Sequence, residues 1–135
     1  MPTRNDLARA FVPNSPFAQR LGLTIERLDA AGAELRMPFD PELATLGDTV
    51  HGGAIASLID TAAVTAAWGD DSPAQGLGGA TVSMSVDYVA AARASDVVAH
   101  ARVVRRGRSL CFVTVEALDG DGRIVATGQV CHRYA

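Results

Sequence analysis

The sequence predicts an α+β fold in which an antiparallel sheet wraps around one long central helix. Three observations carry that expectation. Residues 54–67 distribute Ile55, Leu58, Ile59, Ala63, Val64 and a series of alanines around almost the whole helical circumference, and a helix that is apolar on all sides needs cover on all sides. From residue 79 the pattern changes to period two, with Val82, Met84, Val86 and Tyr88 on one face and Thr81, Ser83, Ser85 and Asp87 on the other, as in a strand covering a core on one side. Three more strand-like runs follow, "DVVAHARVV", "SLCFVTVEAL" and "RIVATGQVCH", and hairpin-linked strands with alternating faces build antiparallel rather than parallel sheets.

The elements follow in order. "TRNDLARAFV" reads as a short amphipathic helix capped by Thr3 or Asn5 and ended by Pro13; "NSPFAQRLG" is one or two further turns, with Ser15 as cap and Pro16 in the first helical position. Two strands are expected at about 21–29 and 33–39 around "DAAG". "DPELATLGDTV" reads as a loop, because Pro41, Gly47 and Asp48 punctuate it without periodicity. The central helix is expected to start at Gly52 and Gly53 and to stop at Gly69 in the left-handed position that follows a helix. "DGDG", Asp119 to Gly122, joins the last two strands as a hairpin turn.

At 135 residues the chain suits a single domain, 1–135, with residues 1–16 as an N-terminal helical extension, and a chain of this size buries roughly two thirds of its unfolded surface. Its 48% hydrophobic and 20% charged content excludes a disordered chain. A net charge of −3 provides no general field for nucleic acid. The charge is unevenly placed, however: residues 91–135 hold seven arginines against four acids. Three of them, Arg105, Arg106 and Arg108, cluster in "VVRRGRS". No lysine is present, so every fixed cation is a guanidinium, suited to bidentate phosphate contact. The cluster is either a solvated turn or a phosphate-binding patch. Cys111 and Cys131 lie in apolar strand-like runs without CxxC spacing, which points to reduced, buried thiols and a cytoplasmic setting. The N-terminus lacks a signal-peptide core, and the one long apolar run contains Asp60, so no membrane span is expected. The three histidines are scattered without ligand spacing, and no metal is expected.

Two features of the central helix suggest chemistry. Gly52 and Gly53 at its start offer backbone N–H groups at the positive end of the helix dipole, where an anion or a developing oxyanion binds; taken alone, "HGG" also fits a plain tight turn. Asp60 sits on an element that is mostly core, where a carboxylate is costly unless paired, and Ser57, Thr61 and Thr65 flank it as a narrow polar stripe. Gly52 and Asp60 are eight positions apart, about 12 Å along a helix. One carbonyl cannot reach both on the same chain. If they act on one carbon, Asp60 comes from a second copy related by a two-fold axis.

"HGGAIASLIDTAAVTAAW", "GGATVSMSVDYVAAA", "VVRRGRS" and "GRIVATGQV", in that order over residues 17–131, resemble the hotdog-fold acyl-CoA thioesterases of the phenylacetyl-CoA and hydroxybenzoyl-CoA thioesterase branch. The resemblance implies a helix wrapped by a sheet, dimers often paired into tetramers, and active sites at the dimer interface. It also implies hydrolysis of an acyl-CoA or aryl-CoA thioester without a cofactor. By position it makes Gly52 the oxyanion-hole glycine and Asp60 the catalytic carboxylate, acting as general base or nucleophile. His51 becomes the residue that organises the loop and helix start, Thr81 the hydroxyl that helps hold water or substrate, and Arg105, Arg106 and Arg108, with Gly53, the contacts to CoA. Relatives commonly carry Asn or Gln where this chain has Thr45, and often Pro after the tyrosine of "DYVAAA". Two rivals stay open: an enoyl-CoA hydratase on the same fold, with Asp48 and His51 as its pair, and an acyl-CoA-binding protein without turnover.

Overall fold

In a computed structural model that describes residues 1–76 and 78–134, the chain begins with helices α1 (Arg4–Asn14) and α2 (Pro16–Leu21) and strands β1 (Thr24–Asp29) and β2 (Gly32–Met37). A 3-10 turn at Pro41–Leu43 leads into a small hairpin, β3 (Ala44–Leu46) and β4 (Thr49–Val50), and then into α3 (Gly52–Ala67). Strands β5 (Gly79–Tyr88), β6 (Val97–Arg106), β7 (Leu110–Leu118) and β8 (Ile124–Tyr134) complete it. The main sheet is six-stranded and antiparallel, in the order β1-β2-β6-β7-β8-β5. Helix α3 packs on one face of it, with Leu58, Ile59, Ala62, Ala63 and Ala66 fully buried against Leu35, Met37, Val97, Val113 and Val115. Each large side chain so buried contributes about 1.5–3 kcal/mol. Helix and sheet meet closely at Gly128, where a Cβ would lie 2.8 Å from Ile59 Cγ2.

Helix α1 belongs to this core rather than extending from it. Ala8 and Val12 are buried, Asn5 Nδ2 donates to the Gly69 carbonyl at 2.9 Å, and the Arg4 guanidinium lies 3.8 Å from the centre of the Tyr134 ring. Thr3 and Asp6 form a reciprocal capping box at its start. Pro13 does not end the helix as expected: it sits in the last turn, where a proline removes one N–H bond, and the Ser15 N–H still reaches the Phe11 carbonyl at 2.8 Å.

Other expectations change for identifiable reasons. The strands are shorter than 21–29 and 33–39, because Leu21 closes α2 and β2 ends at Met37. The stretch read as a loop contains the β3–β4 hairpin, turned by Gly47 at φ 57°; strands of three and two residues are too short to show a period. Gly69 is not left-handed. Its missing side chain instead lets the chain pass the Asp29 carbonyl, into which a Cβ would run.

Two surfaces expected to be covered are open. On α3, Gly53 is exposed and Ala56, Ser57, Asp60, Thr61 and Val64 are only half-buried; at helical spacing they form one uncovered stripe. Strand β5, at the sheet edge, exposes Val82 (51%), Met84 (39%) and Tyr88 (53%). A bulge between Thr81 and Ser83 also breaks the predicted alternation. It brings Thr81 onto the helix-facing side, where its hydroxyl bonds Asp60, while Tyr88 further along the same side bonds Gly52.

Candidate active site

His51 is the N-cap of α3, and its Nδ1 accepts the Gly53 N–H at 2.7 Å. The neutral ring therefore carries its proton on Nε2. This interaction caps the helix start, and it changes the expectation for Gly53, whose N–H is taken up by the ring and not open to a ligand. Gly52, in the first helical position, has no intrahelical acceptor for its N–H, and no other acceptor is found among the described residues. The Tyr88 hydroxyl donates to the Gly52 carbonyl at 2.8 Å, and its ring covers the glycine so closely that a Cβ would lie 3.2 Å from it.

Asp60 lies two turns further along the same unbroken helix. The Thr81 hydroxyl donates to its Oδ1 at 2.6 Å. The stripe of hydroxyls expected to accompany it is satisfied elsewhere: Ser57, Thr61 and Thr65 donate to the carbonyls of Gly53, Ser57 and Thr61 at 2.8, 2.8 and 2.7 Å, the back-bonding common for such residues within helices. Thr81 is thus the one hydrogen-bond partner of Asp60 among the described residues, and Oδ2 is left for other chemistry.

Not every candidate joins this arrangement. Thr45 is exposed on β3, and no hydrogen bond joins it to Asp60, whose partner is Thr81. Arg106 is committed to the C-terminal end of α3, where it donates to the Ala66, Ala67 and Ala30 carbonyls at 3.1, 3.4 and 3.2 Å and approaches Asp70 at 3.5 Å. A guanidinium at a helix C-terminus is a structural cap, so Arg106 is withdrawn as a phosphate contact. Arg105 and Arg108 remain exposed, and Arg108 borders a cleft of about 470 Å³ that also contains Arg4 and Gln75. Asp48 lies 3.9 Å from Arg93, and no bond joins it to His51.

Sequence reasoning missed His132. It is the ladder partner of Thr81, it is buried, and its Nε2 accepts the Trp68 indole N–H at 2.9 Å. Period two in β8 places it on the helix-facing side, but nothing local announces its partner 64 positions away. Burial pushes its pKa below the ordinary 6.5, while the negative charge of Asp60 opposes the shift and Arg4 adds to it. The unfolded chain therefore takes up a proton near pH 6.5 that the folded chain refuses, so stability is lost as pH falls through that value. Thermal midpoints are expected to drop between about pH 7.5 and 5.5, and His132→Phe to flatten that part of the curve. A wild-type midpoint that stays level over this range contradicts the buried neutral ring.

A family model described as the thioesterase superfamily matches residues 47–126, spanning the helix start, Asp60 and Thr81. The chain belongs to the thioesterase superfamily. Rv1847 of Mycobacterium tuberculosis, named as a candidate esterase, is 33% identical over 119 residues, covering 85% of this chain and 83% of its own. The medium/long-chain acyl-CoA thioesterase YigI of Salmonella typhimurium is 29% identical over 130 residues, 87% of this chain and 84% of its own. In three dimensions the PaaI protein of the Escherichia coli phenylacetic acid degradation operon superposes with a TM-score of 0.79 at 24% identity, covering 96% and 95% of the two chains. The fold is the hotdog fold, and the general chemistry of this superfamily member is thioester hydrolysis. Among the described residues no cluster of three or more His, Cys, Asp or Glu side chains is placed to hold a metal, and no helix is long and apolar enough to cross a membrane.

Proposed function

We propose that this thioesterase hydrolyses an acyl-CoA or aryl-CoA at a site shared between two copies of the chain. The observation that carries the reading is the Asp60–Thr81 pair on the uncovered stripe of α3, beside the open β5 edge. An edge strand of ten residues with exposed Val82, Met84 and Tyr88 is a ready template for pairing with another copy. Pairing across a two-fold axis brings one protomer's helix start toward its partner's Asp60, which the length of α3 forbids within a chain.

In this arrangement the Gly52 N–H of one protomer polarises the thioester carbonyl, whose oxygen becomes negative as the tetrahedral intermediate forms. Thr81 holds Oδ1 of Asp60, so Oδ2 removes a proton from water as the water oxygen bonds to the carbonyl carbon. The carbon–sulfur bond then breaks, and the departing CoA sulfur takes the proton from the carboxyl group. His51 keeps the helix start in shape, and Arg105 and Arg108 are the guanidinia left for the CoA phosphates.

Wild-type protein is expected to sediment as a dimer or a larger even assembly and to release free thiol from acyl-CoA or aryl-CoA. Val82→Asp with Met84→Asp at the edge strand is expected to yield folded monomers without turnover. A wild-type protein that is strictly monomeric and still hydrolyses thioesters refutes the shared site.

A further inference from the structure

Glycine is a poor residue for a part of a helix that has to hold a donor still. The first two positions of α3 are Gly52 and Gly53, and glycine gives up more backbone freedom on folding than any other residue. A helix end also frays more readily than the turns behind it. An oxyanion donor works because its direction is fixed before the reaction starts. The Gly52 N–H therefore needs restraint from outside its own helix.

Restraint reaches Gly52 from two sides. On one side, the His51 N–H is anchored on the Leu43 carbonyl at 2.7 Å, and the His51 carbonyl accepts the N–H groups of Ala54 and Ile55 at 3.0 and 3.2 Å. The His51 ring also takes up the Gly53 N–H at 2.7 Å. These bonds fix the residues before and after Gly52. On the other side stands Tyr88, whose hydroxyl donates to the Gly52 carbonyl at 2.8 Å. Tyr88 is the last residue of β5 and the ladder partner of Ala126, and the next N–H, that of Val89, donates to the Val125 carbonyl at 2.9 Å. The clamp thus comes from a strand end that is itself held. The ring adds a second constraint: a Cβ on Gly52 would lie 3.2 Å from its Cε1 and 3.3 Å from its Cζ. The space an ordinary residue fills with its side chain is taken by the tyrosine.

We propose that Tyr88 is a positioning residue for the oxyanion donor, its hydroxyl and ring together holding the Gly52 amide in the direction a thioester carbonyl requires. The reaction it serves rests on the hydrolytic reading; the restraint on Gly52 does not. Tyr88 acts through Gly52 and touches no reacting atom in this scheme. The arrangement also gives a reason for glycine at position 52, because the ring occupies the place of a β-carbon.

Tyr88→Phe removes the hydroxyl and keeps the ring, while Tyr88→Leu removes both constraints. In the full-length protein in its native assembly, Tyr88→Phe is expected to lower kcat for a CoA thioester about tenfold, the scale of one hydrogen bond, with KM unchanged. Tyr88→Leu is expected to lose about a hundredfold, the scale of a group misplaced by an ångström. Both variants are expected to bind a CoA thioether as the wild type does. Both are expected to bind less tightly a trifluoromethyl-ketone analogue of the thioester, whose ionised hydrate carries negative charge where the oxyanion develops. A residue that served only the fold would shift both affinities alike or neither. The restraint is read without turnover from the ¹⁵N relaxation of Gly52, whose order parameter is expected at about 0.85 in the wild type and to fall toward about 0.6 in Tyr88→Leu.

A wild-type kcat in Tyr88→Phe, a loss expressed in KM instead, or an order parameter unchanged in Tyr88→Leu overturns the proposal. A Gly52 amide that is rigid in the wild type and loosened in Tyr88→Leu, in a protein that turns over no thioester, supports the clamp and overturns the hydrolytic reading; turnover indifferent to Tyr88 does the reverse.

Discussion

Asp60→Asn lowers thiol release from a CoA thioester by about a hundred- to ten-thousandfold, the usual contribution of one positioned acid–base group. Asparagine has almost the same shape, and its carbonyl oxygen still accepts the Thr81 hydroxyl that reaches Oδ1 at 2.6 Å in the wild type. What it lacks is basicity at the second oxygen. The loss is therefore expected in kcat, with the fold, the assembly and the affinity for a non-hydrolysable CoA thioether retained. Thr81→Val tests the same geometry from the other side: it frees the carboxylate to rotate, and a smaller fall in kcat is expected. Wild-type rates in Asp60→Asn, measured with thiol release followed in parallel with sedimentation, remove Asp60 from the chemistry.

Mixing two inactive variants restores activity if the site is composite. Gly52→Pro removes the N–H at the first helical position, where proline is otherwise well accommodated, and His51 before it already has the extended backbone that precedes a proline, at ψ 133°. The exposed Tyr88 ring, 3.2 Å from where the new Cβ falls, has to shift by a few tenths of an ångström. Loss of one oxyanion donor is expected to cost roughly a hundred- to a thousandfold in kcat. Asp60→Ala removes the base. In a hybrid dimer, the Asp60→Ala protomer supplies an intact helix start and the Gly52→Pro protomer an intact carboxylate, so one of the two sites is whole. Purified hybrids are expected to show about half the wild-type rate. Hybrids as inactive as their parents place both groups in separate chambers and end the shared-site reading.

The aspects of the protein legible in its sequence are those with a local cause. Apolar residues round most of the central helix require cover for most of it, though the stripe bearing Asp60 stays open, and period two after residue 79 requires strands, though a bulge shifts its phase after Thr81. Gly52 at a helix start lacks an intrahelical acceptor for its N–H wherever that helix packs. Eight residues of helix separate it from Asp60 in any fold, so two such groups can act on one carbon only if a second copy brings Asp60. The corrections came where a residue's role is set by what lies across the chain from it. Arg106 reads as a phosphate contact in "RRGR" and proves to be a cap, because the end of α3 arrives beside it and presents open carbonyls. Thr81 reads as the polar side of its strand and turns inward, because a bulge inserts one residue after it. Gly53 loses its donor to a histidine two positions away whose rotamer no pattern reveals. His132 acquires its tautomer from Trp68, 64 positions distant. Periodicity is a property of neighbouring residues and survives in the linear chain; a side chain's hydrogen-bond partner depends on where strands and helices meet, and only packing decides that.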